Sequence, residues 1–326
     1  MSAAAALETF SRHGGRLAAA AAAFPAAPRP WIDLSTGVNP RPYPAPAASR
    51  AARARLPDPE TLRALEAAAA AAFGAPAERV TAVPGSESAI RLLPDLLGVR
   101  RVAIAHDTYG GHAEAWRAAG AEILRRPEDA EAWVVVNPNN PDGRATAADE
   151  LLASAAVRWT VVDEAFVETA PELSVAAQAG GRLIVLRSFG KFFGLAGLRL
   201  GFVIADADVT ARLRARLGDW PLSADAITAG QAAYVDTPWA DAARKRLARD
   251  AARLDRLLAA AGLTPLGGTL LFRLARAPDA AGVFLRLAHA GVLCRPFADP
   301  RLLRFGLPGR PAEWTRLAAA LSGERS

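Results

Sequence analysis

Lysine is almost missing from this chain. Of the 39 lysine and arginine residues among 326, only Lys191 and Lys245 are lysines. Arginine stays protonated, whereas lysine can give up its proton and attack a carbonyl carbon. Lys245 lies in the polar stretch ARKR, where either basic residue serves as solvated charge. Lys191 lies among glycines and aromatics in SFGKFFGLAGLRLGF and is the chemical candidate that composition singles out. A single cysteine, Cys294, excludes an intrachain disulfide and a cysteine-built zinc or iron–sulfur site. The four histidines, His13, His106, His112 and His289, show no metal-ligand spacing, so no metal is expected. No apolar run approaches the ~20 residues of a membrane span. Residues 17–24, LAAAAAAF, have the apolarity of a signal segment. The stretch before them holds Glu8, His13, Gly14 and Gly15 in place of a clean basic start, so a cytoplasmic protein is expected.

What is present points to a folded enzyme-sized chain. A composition 52% hydrophobic and 22% charged excludes a disordered protein. The length allows about two domains at ~100–200 residues each. The net charge of +6 raises the question of nucleic acid. The densest basic run, Arg244 to Arg256, is broken by Asp250 and Asp255. It carries Leu247, Ala251, Leu254 and Leu258 at helical spacing, the pattern of a helix with one solvated face. No nucleic-acid or membrane partner is expected; an anionic small substrate suits the arginines.

Short apolar runs alternate with helical stretches through the first two thirds. Asp58 to Phe73 reads as a helix closed by Gly74. VTAVPG (80–85), RVAIAH (101–106), AWVVVNP (132–138), WTVVDEAF (159–166), RLIVLRSF (182–189) and GFVIAD (201–206) read as strands, with helices near 86–97 and 111–119. The runs are continuous rather than alternating, as in strands covered on both faces. This is an α/β pattern with a mainly parallel sheet. After about residue 208, arginine-, alanine- and leucine-rich helices give way to short strands near 270–274, 291–297 and 302–307 and a last helix at 312–321. We expect an N-terminal segment 1–30, a large domain 31–208 and a smaller α+β domain 209–326.

The strands end in polar or turn residues: Gly85-Ser86-Glu87, Asp107-Thr108-Tyr109, Asn137-Pro138-Asn139-Asn140-Pro141, Asp163-Glu164 and Ser188 to Lys191. Ligands of α/β sheets bind at the carboxyl ends of strands. A hydroxyl, an aromatic ring, an amide, a carboxylate and an amine would therefore meet at one mouth.

With these residues in order, the chain resembles the fold-type I pyridoxal-phosphate enzymes of the class I and II aminotransferase group over nearly its whole length. The spacing S-x-x-K-x(7)-R (Ser188, Lys191, Arg199) carries most of the resemblance, supported by NPNNPDG and VVDEAF. The resemblance implies pyridoxal 5'-phosphate as cofactor and the following roles. Lys191 joins the cofactor covalently and carries protons, with its pKa drawn towards ~7–8 by burial and neighbouring charge. Asp163 pairs with the ring nitrogen, Asn140 with the ring 3-oxygen, and Tyr109 stacks on the ring. Ser86, Glu87 through its backbone, Ser188 and Arg199 hold the phosphate at a helix N-terminus. His112, three residues after Tyr109, backs the aspartate in some relatives.

Within the group, HGG (13–15), LSTGVNP (34–40), Phe166 in DEAF and LLRFGLPG resemble the threonine-phosphate decarboxylases of cobalamin synthesis. Histidinol-phosphate aminotransferases, the alternative, usually carry tyrosine at the place of Phe166. The substrate implied is a small phosphorylated amino acid. Arg304 would take its α-carboxylate and Arg295 its phosphate, with His13 as a second phosphate ligand brought in by the N-terminal segment and Gly37 and Asn39 lining the same pocket. Loss of the carboxylate from Cα gives carbon dioxide and (R)-1-aminopropan-2-yl phosphate; loss of the α-proton leads to transamination. A homodimer is implied. Two departures stand out. Leu56 replaces the tyrosine that often reaches a neighbouring subunit's cofactor phosphate, with Tyr43 nearby. Gly190 stands where a hydroxyl residue is common.

Overall fold

The computed structural model describes residues 3–323. It forms two compact units, one of Pro42–Asp241 and one joining Met1–Arg41 to Ala242–Ser326. The divisions differ from those expected at 30/31 and 208/209, for identifiable reasons. Val209 and Leu213, on the helix Ala207–Leu217, belong to the core of the sheet unit. Gly230, on the helix Ala224–Val235, lets that helix close on Leu65, whose Cδ1 would come within 2.6 Å of a Cβ there. At the other end, Ile32 and Asp33 pair in parallel with Val292 and Leu293, which takes residues 31–41 into the second unit.

The unit Pro42–Asp241 is built on seven strands: β1 (Val80–Val83), β2 (Arg101–Ile104), β3 (Glu122–Leu124), β4 (Ala132–Val136), β5 (Trp159–Asp163), β6 (Leu183–Ser188) and β7 (Gly201–Ile204). Their order is β1-β7-β6-β5-β4-β2-β3. All pairs are parallel except those of β7, which runs antiparallel to β1 and β6. A parallel return needs a crossover of a dozen or more residues, usually through a helix packed on the sheet. Residues 189–200 hold only a four-residue helix and a single 3-10 turn, so β7 turns back with Gly201 paired to Ser188. Lys191 and Arg199 thereby stay at the carboxyl end of β6. Buried Val83, Val102, Ile104, Val134, Val161 and Ile184 pack with the helices that cover the sheet.

Of three helices in this unit, the last two bear on the site. In α1 (Pro59–Phe73) the Asp58 side chain accepts from Glu60 N at 2.8 Å, and Gly74, at φ +66°, ends the helix. The second, α2 (Ser86–Leu97), follows β1 directly, and α3 (Gly110–Ala118) follows β2.

The second unit holds an antiparallel sheet of β8 (Thr264–Thr269), β9 (Phe272–Arg276), β10 (Arg295–Pro296) and β11 (Leu302–Gly306), in the order β10-β11-β9-β8. The sequence reading contains β9 to β11 but not β8. Strand β8 contains Gly267-Gly268, and Gly268 sits at φ +141° so close to β9 that a Cβ would meet Phe272 O at 2.1 Å. Among the described residues no helix is long and apolar enough to cross a membrane.

Candidate active site

The parallel register of the sheet unit sets three polar strand ends side by side. Val136 pairs with Asp163, and Asp163 with Leu186, so residues 137, 163 and 188 emerge along one edge. Asp163 is buried, and both carboxylate oxygens are engaged. Oδ1 accepts from Ala165 N at 3.0 Å, and Oδ2 lies 2.9 Å from His112 Nε2. Behind it, Glu164 and Glu168 grip the buried Arg187 guanidinium at 3.0 and 2.7 Å. Burial raises the Glu164 pKa, and Arg187 opposes that rise. The clamp ties the end of β5 to the end of β6.

An anion cradle lies beside it. Gly85, the residue before α2, has no side chain with which to cap the first-turn N–H groups. Those groups and the positive helix end favour an anion. Arg199 reaches over this turn. A Cβ on residue 85 would fall 2.6 Å from Arg199 Nη2, and Gly85 takes φ +77°. Arg199 itself is left-handed at φ 53°, the one non-glycine with positive φ among the described residues. Such a conformation costs of order 1 kcal/mol and recurs at functional sites. Gly201 keeps β7 flush against Ser86, whose N would lie 2.5 Å from a Cβ there. Ser188 ends β6 next to this turn.

Tyr109 opens α3 and donates its hydroxyl to Glu87 Oε2 at 3.0 Å. The loop carrying Asn140 is held from both sides. Asn139 accepts from Thr108 Oγ1 at 2.7 Å and donates to Asp107 O at 2.8 Å, while Asn137 Oδ1 accepts from Thr146 N at 3.0 Å. Asn140 is buried in this loop. Lys191 Nζ stands 5.9 Å from the centroid of the Phe166 ring.

Two departures noted in the sequence have structural answers. Gly190 is packed so that a Cβ would meet Ala196 Cα at 2.6 Å, which leaves no room for a hydroxyl-bearing side chain. Tyr43 does not stand in for the tyrosine absent at Leu56. It is buried against Phe193 and Trp239, with its hydroxyl donated to Ala232 O at 3.2 Å.

The second unit gathers the remaining candidates. Arg304 is buried on β11, donates to Ser35 O at 2.9 Å and covers the Phe272 ring at 4.8 Å. Burial, and then repulsion from Arg295, push its pKa well down, with Asp33 opposing. Arg295 Nη2 donates to Arg12 O at 3.0 Å. Gly14 presses so tightly on Ser35 that a Cβ would come 2.4 Å from its carbonyl oxygen, and Gly15 N donates to Ser35 Oγ at 2.8 Å. The exposed His13 is thus fixed between a residue bound to Arg295 and one seated on Ser35. Gly37 is buried in the same segment. Asn39 is buried, and its Oδ1 accepts from Arg41 N at 3.0 Å and from Arg246 Nη2 at 3.3 Å.

The sheet unit has the donor set that pyridoxal phosphate requires. It has a guanidinium and a helix end for a phosphate dianion, a buried carboxylate for a protonated ring nitrogen, and an amine for an aldehyde. The sequence named each of these. It left the His112 contact open and missed the carboxylate of Glu87, which has no motif of its own.

Known proteins agree. Residues 29–324 match the family described as aminotransferase class I and II. A threonine-phosphate decarboxylase of Pseudomonas aeruginosa is 41% identical over 325 residues, covering 95% of this chain and 97% of that protein. One from a Sinorhizobium species is 45% identical over 326 residues, covering 95% and 97%. The fold is shared with a histidinol-phosphate aminotransferase from Sinorhizobium meliloti solved with pyridoxal-5'-phosphate: TM-score 0.83, 21% identity, 94% and 93% of the two chains. The chain belongs to the aminotransferase class I and II family.

Proposed function

We propose that this protein is a pyridoxal-phosphate-dependent decarboxylase of L-threonine O-3-phosphate, with (R)-1-aminopropan-2-yl phosphate and carbon dioxide as products. The observation that carries the substrate is the cluster of Arg304, Arg295 and the tethered His13 in one unit, in a chain 41% and 45% identical to two threonine-phosphate decarboxylases. The cluster suits a molecule with two anionic groups. A planar guanidinium binds a carboxylate bidentately, and a second one nearby takes a phosphate.

Pyridoxal phosphate, when bound, supplies an aldehyde carbon for an amine and a protonated ring that accepts electrons from a bond broken at Cα. Lys191 would supply the amine for that carbon and would carry a proton to Cα of the substrate. Asp163, held by His112 and Ala165 N, keeps the proton on the ring nitrogen. Arg199, Ser86, Ser188 and the first N–H groups of α2 hold the phosphate, and Asn140 the ring oxygen. Arg304 and Arg295 orient the substrate by its anions. The bond from Cα to the carboxylate carbon would break with its electron pair left on the substrate's amine fragment, and carbon dioxide would leave. The Lys191 ammonium then delivers a proton to Cα, so one proton is consumed and no oxidant is needed. A place in cobalamin synthesis, as a cytoplasmic homodimer, is the setting this reading implies.

Substrate selection tests it. The loaded enzyme should turn over L-threonine O-3-phosphate with kcat/KM at least about 100-fold above that for L-threonine, which lacks the phosphate that Arg295 would bind. Equal turnover of the two, or preference for histidinol phosphate with 2-oxoglutarate, would reject the assignment.

A further inference from the structure

Glu87 enters the family resemblance through its backbone alone, but its carboxylate is fully engaged. Oε1 accepts from Arg91 Nε at 2.7 Å, and Oε2 from the Tyr109 hydroxyl at 3.0 Å. An acidic side chain in the first turn of α2 competes with any other anion for the positive helix end. Arg91, one turn along, neutralises it and extends Nη2 towards Glu114 Oε2 on α3 at 3.4 Å. The carboxylate is thereby drawn sideways onto Tyr109, the residue that opens α3. Two further contacts fix the tyrosine ring. It meets His112 edge-on at 6.0 Å and 88°, and it lies against Gly111, where a Cβ would come 2.5 Å from ring Cε1. Burial, and then the Glu87 charge, raise the phenol pKa, so the hydroxyl keeps its proton to donate.

We propose that Glu87 is a positioning residue that sets the face of Tyr109 for the cofactor ring and couples ring stacking to phosphate seating on α2. The helix turn whose N–H groups meet the phosphate also carries the acceptor that aims the stacking ring, so a shift at one is felt at the other. The inference rests on the reading of this unit as a pyridoxal-phosphate site.

The test is a double-mutant cycle on the full-length apo-protein, read by equilibrium titration with pyridoxal phosphate and by visible circular dichroism of the bound cofactor. Thermal melting of each apo variant serves as the control for folding. Tyr109→Phe keeps the ring and removes the donor; Glu87→Ala removes the acceptor. Each should weaken cofactor binding by about 5- to 20-fold, the range of one charge-assisted hydrogen bond, and change the visible dichroism. The double variant should bind within about twofold of the weaker single variant, since both break one bond. Glu87→Gln, which keeps an oxygen acceptor, should recover most of the loss and the dichroism. Wild-type binding by Tyr109→Phe, or independent multiplication of the two effects, would overturn the coupling. A wild-type protein that takes up no pyridoxal phosphate overturns the functional reading itself, and that titration is run first.

Discussion

His112 Nε2 and Asp163 Oδ2 stand 2.9 Å apart with both side chains buried. The histidine comes from α3 and the aspartate from the end of β5. Because Ala165 N holds the other carboxylate oxygen at 3.0 Å, Asp163 has no freedom to rotate. A carboxylate fixed on both oxygens presents one constant geometry to a ring nitrogen, which is the condition for preorganised electrostatic stabilisation.

His112→Leu should therefore lower kcat by about 10- to 100-fold, the worth of one charge-assisted hydrogen bond expressed as a rate. The pH midpoint of the bound cofactor's absorbance should move in the same variant. Melting of the apo-protein and titration with pyridoxal phosphate would separate this effect from a loss of folding or of cofactor.

Gly190→Ser introduces the kind of hydroxyl residue that the family resemblance leads one to expect, and it should be harmful here. Its Cβ would meet Ala196 Cα at 2.6 Å, and the backbone that must give way leads directly to Arg199. Cofactor affinity should fall by about tenfold or more, an overpacking cost of ~1–3 kcal/mol delivered to the phosphate cradle. Unchanged affinity in an equilibrium titration would contradict this packing account.

Much of the sheet unit was legible in the sequence because its signals are local and repeated. Continuous β-branched runs mark buried strands, and Lys191, Asp163, Asn140, Ser188 and Arg199 fall at the expected intervals. What was not legible depends on tertiary packing. The antiparallel turn of β7 follows from the missing crossover helix, β8 hides behind Gly267 and Gly268, and the commitment of Tyr43 to Ala232 shows only in the fold. The unit boundaries at 41/42 and 241/242 have the same origin, since helical periodicity does not say which core a helix joins.

The proposed substrate site sets two cations, Arg304 and Arg295, to bind the substrate's anions. Arg304 is buried, and Arg295 works against its charge. Inorganic phosphate should raise the melting temperature of the apo-protein by about 2–5 °C at saturating concentration. Arg295→Gln should remove part of that rise, and Arg295→Gln combined with Arg199→Gln the remainder. Two contributions are expected because the proposal gives the two arginines separate anions, the substrate phosphate to Arg295 and the cofactor phosphate to Arg199. Calorimetric scans with and without phosphate measure this directly.

Glu66 gives the fold a pH signature. Burial raises its pKa above the ordinary carboxylate value, against the opposing pull of Ala82 N and Arg214. A native carboxyl group that holds its proton to higher pH than the unfolded chain lowers stability as pH rises through that window. Its contribution is most favourable below the unfolded value and declines until the folded group has ionised. Glu66→Gln retains an acceptor for Ala82 N, now 2.9 Å from Oε1, and abolishes the titration. Urea unfolding across the acidic to neutral range should show this downward component in the wild type and its loss in the variant.

The central claim is that the bond broken at Cα is the one to the carboxylate. The direct measurement follows carbon dioxide, by isotope release from carboxyl-labelled L-threonine O-3-phosphate, with cofactor-loaded protein and no keto acid present. We predict many turnovers, one carbon dioxide and one aminopropanol phosphate per substrate, no requirement for 2-oxoglutarate, and no turnover by Lys191→Ala. Retention of the label, with reaction only when 2-oxoglutarate is added, would contradict the account and make the protein an aminotransferase.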